Sequence, residues 1–181
     1  EEADQYEDLA DTYHTLIAEV SEEEGEDAVL PMLIAAARIR DEQLGDLTMA
    51  EAYYDRALII DPEHEEALDK IESIYRRTED WEMLVKILQK RAELSFEPNQ
   101  EVELLKEAGA LQEARLEDLE AATETFRQAL EIDEQDDDAA AAVERLLEER
   151  GEWEQLVEAL DRRAAMTFEP EEITPIRFRI G

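Results

Sequence analysis

The sequence predicts an all-α fold of consecutive antiparallel helix pairs, and three observations carry that prediction. Ala, Leu, Glu and Arg dominate the 181 residues, while only five Gly and five Pro interrupt them, so intrinsic propensity favours helix throughout. Apolar residues recur at helical spacing: Ala50, Tyr54, Ala57 and Leu58 share one side of a 3.6-residue helix. Residues 44–109 also match residues 116–181 without a gap, at an offset of 72. Of those 66 paired positions 21 are identical, against roughly four expected by chance. Seventy-two is twice 36, so each unit holds two helix-turn-helix repeats of a length known in helical arrays.

Taken in order, the first helix spans about Gln5 to Val20, with Tyr6, Leu9, Tyr13, Leu16 and Ile17 as its apolar stripe. The acidic run Glu22 to Asp27 around Gly25 reads as a loop. A helix of about Val29 to Gln43 follows, small on one side through Ala35, Ala36 and Ala37. Gly45 suits the left-handed turn that closes a helix, and Asp46 caps the next, Leu47 to Ile60. Asp61-Pro62 reads the same way, with Asp as N-cap and Pro as the first residue of a helix to Arg77. Asp80 is expected to cap a helix to about Ser95, with Trp81, Leu84, Val85, Leu88 and Ala92 inward. Phe96-Glu97-Pro98 is a corner that recurs as Phe168-Glu169-Pro170. Helices near Asn99 to Arg115, Leu119 to Glu131, Glu134 to Arg150 and Trp153 to Met166 repeat the pattern, with Gly151 closing the third. The expected organisation is one array truncated at both ends: partial repeat 1–27, repeats 28–62, 63–98, 99–134 and 135–170, and partial repeat 171–181. The first residue is Glu rather than Met, which points to a processed start or to a piece of a longer chain.

Composition excludes several classes of function. The formal charge is −34, from 52 acidic and 18 basic residues, a field that repels nucleic acids and anionic membranes. Two readings of the acid stay open: solvated helix faces, as in a high-salt organism, or a surface selected to attract a basic partner. Cysteine is absent, so thiolate chemistry and disulfides are excluded. No apolar run approaches the ~20 residues of a membrane span, and no signal peptide opens the chain; the expectation leans to a cytoplasmic protein.

The order Gly45-Asp46, Ala50, Tyr54, Ala57, Pro62 resembles the tetratricopeptide repeat family, in the style of acidic bacterial repeat proteins. The likeness recurs at Asp118, Ala122, Phe126, Ala129 and Asp133, with Glu117 and Glu134 where the family has Gly and Pro. The intervening repeats depart further: Trp81 and Trp153 begin their second helices, and Leu84 and Leu156 hold the small-residue site. The resemblance implies a right-handed α-solenoid whose first helices line a concave face that holds a peptide or protein segment. The physical reason is that each pair leaves an apolar face only its neighbour can cover. Trp81 and Trp153 are then core residues, whose truncation to Ala costs about 3–5 kcal/mol.

Carrying the family's inner positions over residue by residue gives Ile34, Arg38, Asp41 and Glu42, then Glu66, Asp69, Ser73, Arg76 and Arg77. Glu103, Lys106, Ala110 and Glu113 follow, and the last helix adds Asp138, Ala141, Arg145, Glu148 and Glu149. The candidate partner-binding residues are Ile34, Arg38, Ser73, Arg76, Arg77, Lys106, Ala110 and Arg145. Their basic members either form a strip for an acidic peptide or pair with neighbouring Glu at i±4. A clamp for a C-terminal carboxylate is rejected, because Asn99 is the only Asn and lies in a corner.

No chemistry is expected. His14 and His64 have no metal-binding partner motif and read as surface residues. Asp133, Gln135, Asp137 and Glu144 mimic a calcium loop without its turn glycine, so no metal and no cofactor is implied. Motifs for phosphate, dinucleotide or nucleophilic-serine sites are absent from the sequence. Exposed carboxylates lack the apolar pocket that shifts a catalytic pKa. The sequence therefore reads as a non-enzymatic scaffold for a protein or peptide partner. The alternative is a module that packs with copies of itself, of which a homodimer through exposed repeat ends is the simplest form.

Overall fold

The computed structural model describes residues 2–166. Among them nine α-helices follow one another and no strand occurs. Contacts gather them into two compact units, Glu1–Asp80 and Trp81–Gly181.

Unit one holds α1 (Glu2–Glu24), α2 (Leu30–Arg38), α3 (Leu47–Ile60) and α4 (Glu65–Thr78). The helix α1 runs further than the expected stripe and consumes part of the acidic run, and a 3₁₀ turn, Glu26–Val29, follows Gly25. Among the described residues of α1 only Ala10 and Ile17 are fully buried, while Leu9 and Leu16 stay exposed. Of the expected stripe Tyr6, Leu9, Tyr13, Leu16 and Ile17, then, Ile17 is buried and Tyr6 and Tyr13 are half-buried, while Leu9 and Leu16 face away from the core. The helix α2 continues as a π-helical stretch, Ile39–Leu44, before Gly45 turns left-handed at φ 66°. Asp46 caps α3 as expected, accepting from the Met49 amide.

The start of α4 is a correction. Asp61 is not its N-cap: the Asp61 carboxylate accepts from the Glu63 amide within a turn. The cap is His64, whose Nδ1 accepts from the Ala67 amide at 3.3 Å. His64 was expected only as a surface residue. The repeat copy behaves alike: Asp133 accepts from Gln135, and Asp136 caps α8 through Ala139. The core of unit one is built on Leu33, Ala37, Tyr54, Ile71, Ile74 and Tyr75, all fully buried. Burying each large aliphatic side chain contributes roughly 1.5–3 kcal/mol.

Unit two holds α5 (Trp81–Leu94), α6 (Pro98–Ala114), α7 (Leu119–Ile132), α8 (Asp137–Arg150) and α9 (Trp153–Met166). Its core joins Ala92, Leu105, Phe126, Val143, Leu146 and Leu147 with Leu156 and Leu160. Gly109 packs α6 tightly on α7: a Cβ there would lie 3.0 Å from the Phe126 ring, so a larger residue requires that ring to shift. Gly151 ends α8 at φ 70°.

The tryptophans also depart from expectation. Trp81 is half-buried, with the Arg115 guanidinium 4.9 Å above its ring. Trp153 is 61% exposed, and among the described residues no cation covers it. Trp153 is therefore a surface residue of α9 and carries no core-sized cost. The Phe168-Glu169-Pro170 corner and the partial repeat 171–181 lie outside the described residues.

Candidate partner-binding face

In unit one the candidate face is formed by α2, its π continuation and α4. The helix α4 is strongly two-sided: Leu68, Ile71, Ile74 and Tyr75 turn inward, and Ser73, Arg76 and Arg77 remain exposed. Charges link it to the neighbouring inner helix. Arg38 donates to Glu66 through Nη2 at 2.5 Å and Nε at 3.1 Å. Lys70 donates to Glu42 at 2.5 Å. Arg77 donates to Asp41, also at 2.5 Å. The first two pairs both span 28 residues. Helices running side by side in the same direction keep such a constant offset. Asp41 is nearly buried, at 8% side-chain exposure, whereas Arg38 and Arg77 are about half exposed.

Unit two repeats the device between α6 and α8. Arg145 grips Glu113 with two hydrogen bonds, 2.6 and 2.8 Å. Lys106 donates to Glu103 and to Asp136, both at 2.9 Å, and lies 3.5 Å from Asp138. Burial would lower the Lys106 pKa, but the bonds to Asp136 and Glu103 hold it well above the usual lysine value. The Glu113 carboxyl is held below the usual range by its bond to Arg145. Asp136 is pushed up by burial, yet the Ala139 amide and Lys106 bring it below its ordinary value. An exposed pair such as Arg38–Glu66 is worth about 0–1 kcal/mol. Such pairs orient side chains more than they stabilise the fold.

Of the two readings left open for the cations, pairing is what the geometry shows, both along one helix and between helices. Arg76 bonds Glu72 one turn earlier; Arg38, Arg77 and Arg145 reach across to the next inner helix. Ser73 and Ala110 are exposed between the charges. Ile34 is 7% exposed; it lies in the core and supports the face from behind. Lys70 went unnoticed in the sequence. The shared offset of Arg38/Glu66 and Glu42/Lys70, opposite charges in opposite order, was the signal that could have found it.

Another polar group sits beneath this face. The Tyr54 ring is fully buried and its hydroxyl has no hydrogen-bond partner among the described residues. Burial raises its pKa far above the usual phenol value, and the neighbouring Asp41 and Glu66 add to the shift. The matching residue 72 positions on is Phe126. No group of three or more potential metal ligands occurs among the described residues, and none of the described helices is long and apolar enough to cross a membrane.

No curated protein sequence matches the chain. Among solved structures it is similar to YrrB, titled a TPR protein with an unusual peptide-binding site, at 22% identity over 81% of this chain and 72% of that one, TM-score 0.44. MamA is similar at 12% identity, covering 87% and 85% of the two chains, TM-score 0.44. The pilF protein of Pseudomonas aeruginosa is similar at 14% identity, covering 97% and 84%, TM-score 0.44. Two family models, both described as tetratricopeptide repeat, match residues 67–101 and residues 31–64 and 113–136. Together they span just over half of the chain, and the chain belongs to the tetratricopeptide repeat family of protein-interaction scaffolds.

Proposed function

We propose that the chain binds a peptide or protein segment along the face of its inner helices, with no chemistry of its own. The observation that carries this reading is the pairing of opposite charges between successive inner helices. A guanidinium held by one carboxylate has lost rotamer freedom yet keeps unused donors, so a partner finds it already oriented. Arg38 and Arg145 are 52% and 53% exposed while so held. Ser73 and Ala110 leave room beside them for a main chain to lie close. The segment then supplies acceptors, carbonyls or single carboxylates set among neutral residues. A polyacidic segment fits badly, because it meets a chain of charge −34.

The test uses a peptide selected from a random displayed library, its affinity measured by fluorescence anisotropy against the whole chain. Arg38→Glu and Arg145→Glu should each weaken binding of a peptide seated on their unit at least tenfold, with helical content unchanged. Arg127→Glu, on α7, should leave it unaltered. Equal affinity for both inner-face variants and the parent protein would remove the proposal.

A second reading, self-assembly, is favoured by Trp153 and Val157, exposed at 61% and 38% one turn apart on α9. It requires a mass that rises with concentration and returns to the monomer value in Trp153→Ala.

A further inference from the structure

Unit two contains a groove that the inner-face reading does not use. It lies between α7 and α9 over α8, with a volume of about 520 Å³, within the range of small binding sites. Leu130, Ala140, Val143 and Ala159 supply its apolar part. At its base Glu144, 3% exposed, accepts from Arg163 at 3.2 Å. The groove is separate from the inner face. The helix α8 sends Arg145 to Glu113 of α6, whereas Ala140, Val143 and Glu144 line the groove.

The internal repeat shows how this groove differs from its counterpart positions. Seventy-two residues earlier, Ala140 and Ala159 are matched by Leu68 and Ile87, so two large side chains have become methyl groups. The rim has changed in the same places. Glu124, Glu131, Glu134 and Glu158 stand where the earlier copy has Ala52, Ile59, Pro62 and Lys86. All four are exposed. Of the three arginines at the groove, Arg127 is engaged by Gln155 at 2.5 Å and Arg163 by Glu144 and Asp137, while Arg162 is exposed and is outnumbered by the four rim glutamates. Lost hydrocarbon within and added carboxylates around it select for one chemistry: a bulky apolar side chain with cationic neighbours. We propose that this groove is a second binding site, for a basic segment that inserts a Leu, Ile or Phe between α7 and α9 and sets flanking Lys or Arg against Glu131, Glu134 and Glu158.

The probe is a labelled peptide, acetyl-Gly-Lys-Arg-Leu-Phe-Lys-Arg-Gly-amide, titrated with the whole chain in fluorescence anisotropy at about 0.15 M salt. The double variant Ala140→Leu with Ala159→Ile restores the side chains that the chain itself carries at the matching positions, so it should fold and should bind at least tenfold more weakly. Glu131→Gln with Glu134→Gln and Glu158→Gln should weaken binding comparably. Arg145→Glu should not weaken it, which separates this site from the inner face. Undiminished binding by the filled variant would overturn the proposal, since attraction to an acidic surface alone needs no groove. Failure of the whole chain to bind, as when a second copy or residues 167–181 of the chain occupy the groove, would overturn it too.

Discussion

Among the described residues two of the four left-handed helix ends are occupied by glutamate, and exchanging those residues for glycine should stabilise the protein. Glu79 has φ 57° and Glu117 φ 55°, while Gly45 and Gly151 hold φ 66° and 70°. Offset by 72 residues, Gly45 matches Glu117 and Glu79 matches Gly151, so the chain contains both versions of each corner. The local bonding is preserved across the exchange: the Asp46 amide donates to the Arg40 carbonyl at 2.8 Å, and the Asp118 amide to that of Gln112 at 2.9 Å. A side chain in this conformation costs about 1–2 kcal/mol, and glycine's extra freedom in the unfolded chain returns roughly 0.5–1 kcal/mol. Both glutamates are exposed, so the net gain is about 0.5–1 kcal/mol for each of Glu79→Gly and Glu117→Gly. For a chain of this length that is roughly 2–4 °C in Tm per kcal/mol. The reverse change, Gly45→Glu, should cost a similar amount. A Cβ there meets nothing within 4 Å, so only the backbone conformation is at stake. Urea unfolding followed by circular dichroism measures all three. Loss of stability in both Glu→Gly variants, or a neutral Gly45→Glu, would refute the reasoning.

Tyr54→Phe removes a buried hydroxyl without a partner among the described residues and should be neutral or stabilising by up to about 1 kcal/mol, read in the same urea assay. Gly109→Ala sets a methyl group against the Phe126 ring and should cost about 1–3 kcal/mol. Melting temperature should rise with salt, because screening relieves a net charge of −34 more than it weakens exposed pairs. The pH profile should have two limbs. Burial raises the Asp55 and Glu51 carboxyls in the fold, so the folded state binds their protons more readily and stability grows as pH falls through their raised folded values towards the ordinary carboxylate range near about 4. Glu113 and Asp136 are depressed in the fold; their contribution is present above the unfolded value and is lost as pH falls through the folded one, below about pH 4. Melting curves across pH 2.5–7 check both limbs.

The helices were legible where local signals agreed. Leu47–Ile60 and Trp153–Met166 begin and end where capping, spacing and corner residues said they would. The starts of α4 and α8 were not, because each loop offers two capping candidates three residues apart. Asp61 with Pro62 has the stronger local signature, yet the chain turns at Asp61 and caps at His64. Inner-face charges were legible as residue types, but their partners were not. A bond from Arg38 to Glu66 depends on how two helices lie side by side, which 28 residues of sequence separation leave undefined. Trp153 misled for a similar reason: its spacing on α9 marks an apolar side, and only packing decides what covers it. The groove in unit two was hidden because Ala140 and Ala159 read as ordinary helix formers, and their meaning emerges only against Leu68 and Ile87.

The central claim, that partners are recognised on the inner helices, is tested most directly by hydrogen exchange of the whole chain with and without a tightly bound, library-selected peptide. The account predicts added protection in α2 and α4, or in α6 and α8, around Arg38, Ser73 and Arg77 or around Lys106, Ala110 and Arg145, with α3 and α7 unchanged. Protection confined to α3, α7 or α9, with the inner helices exchanging as before, would contradict it.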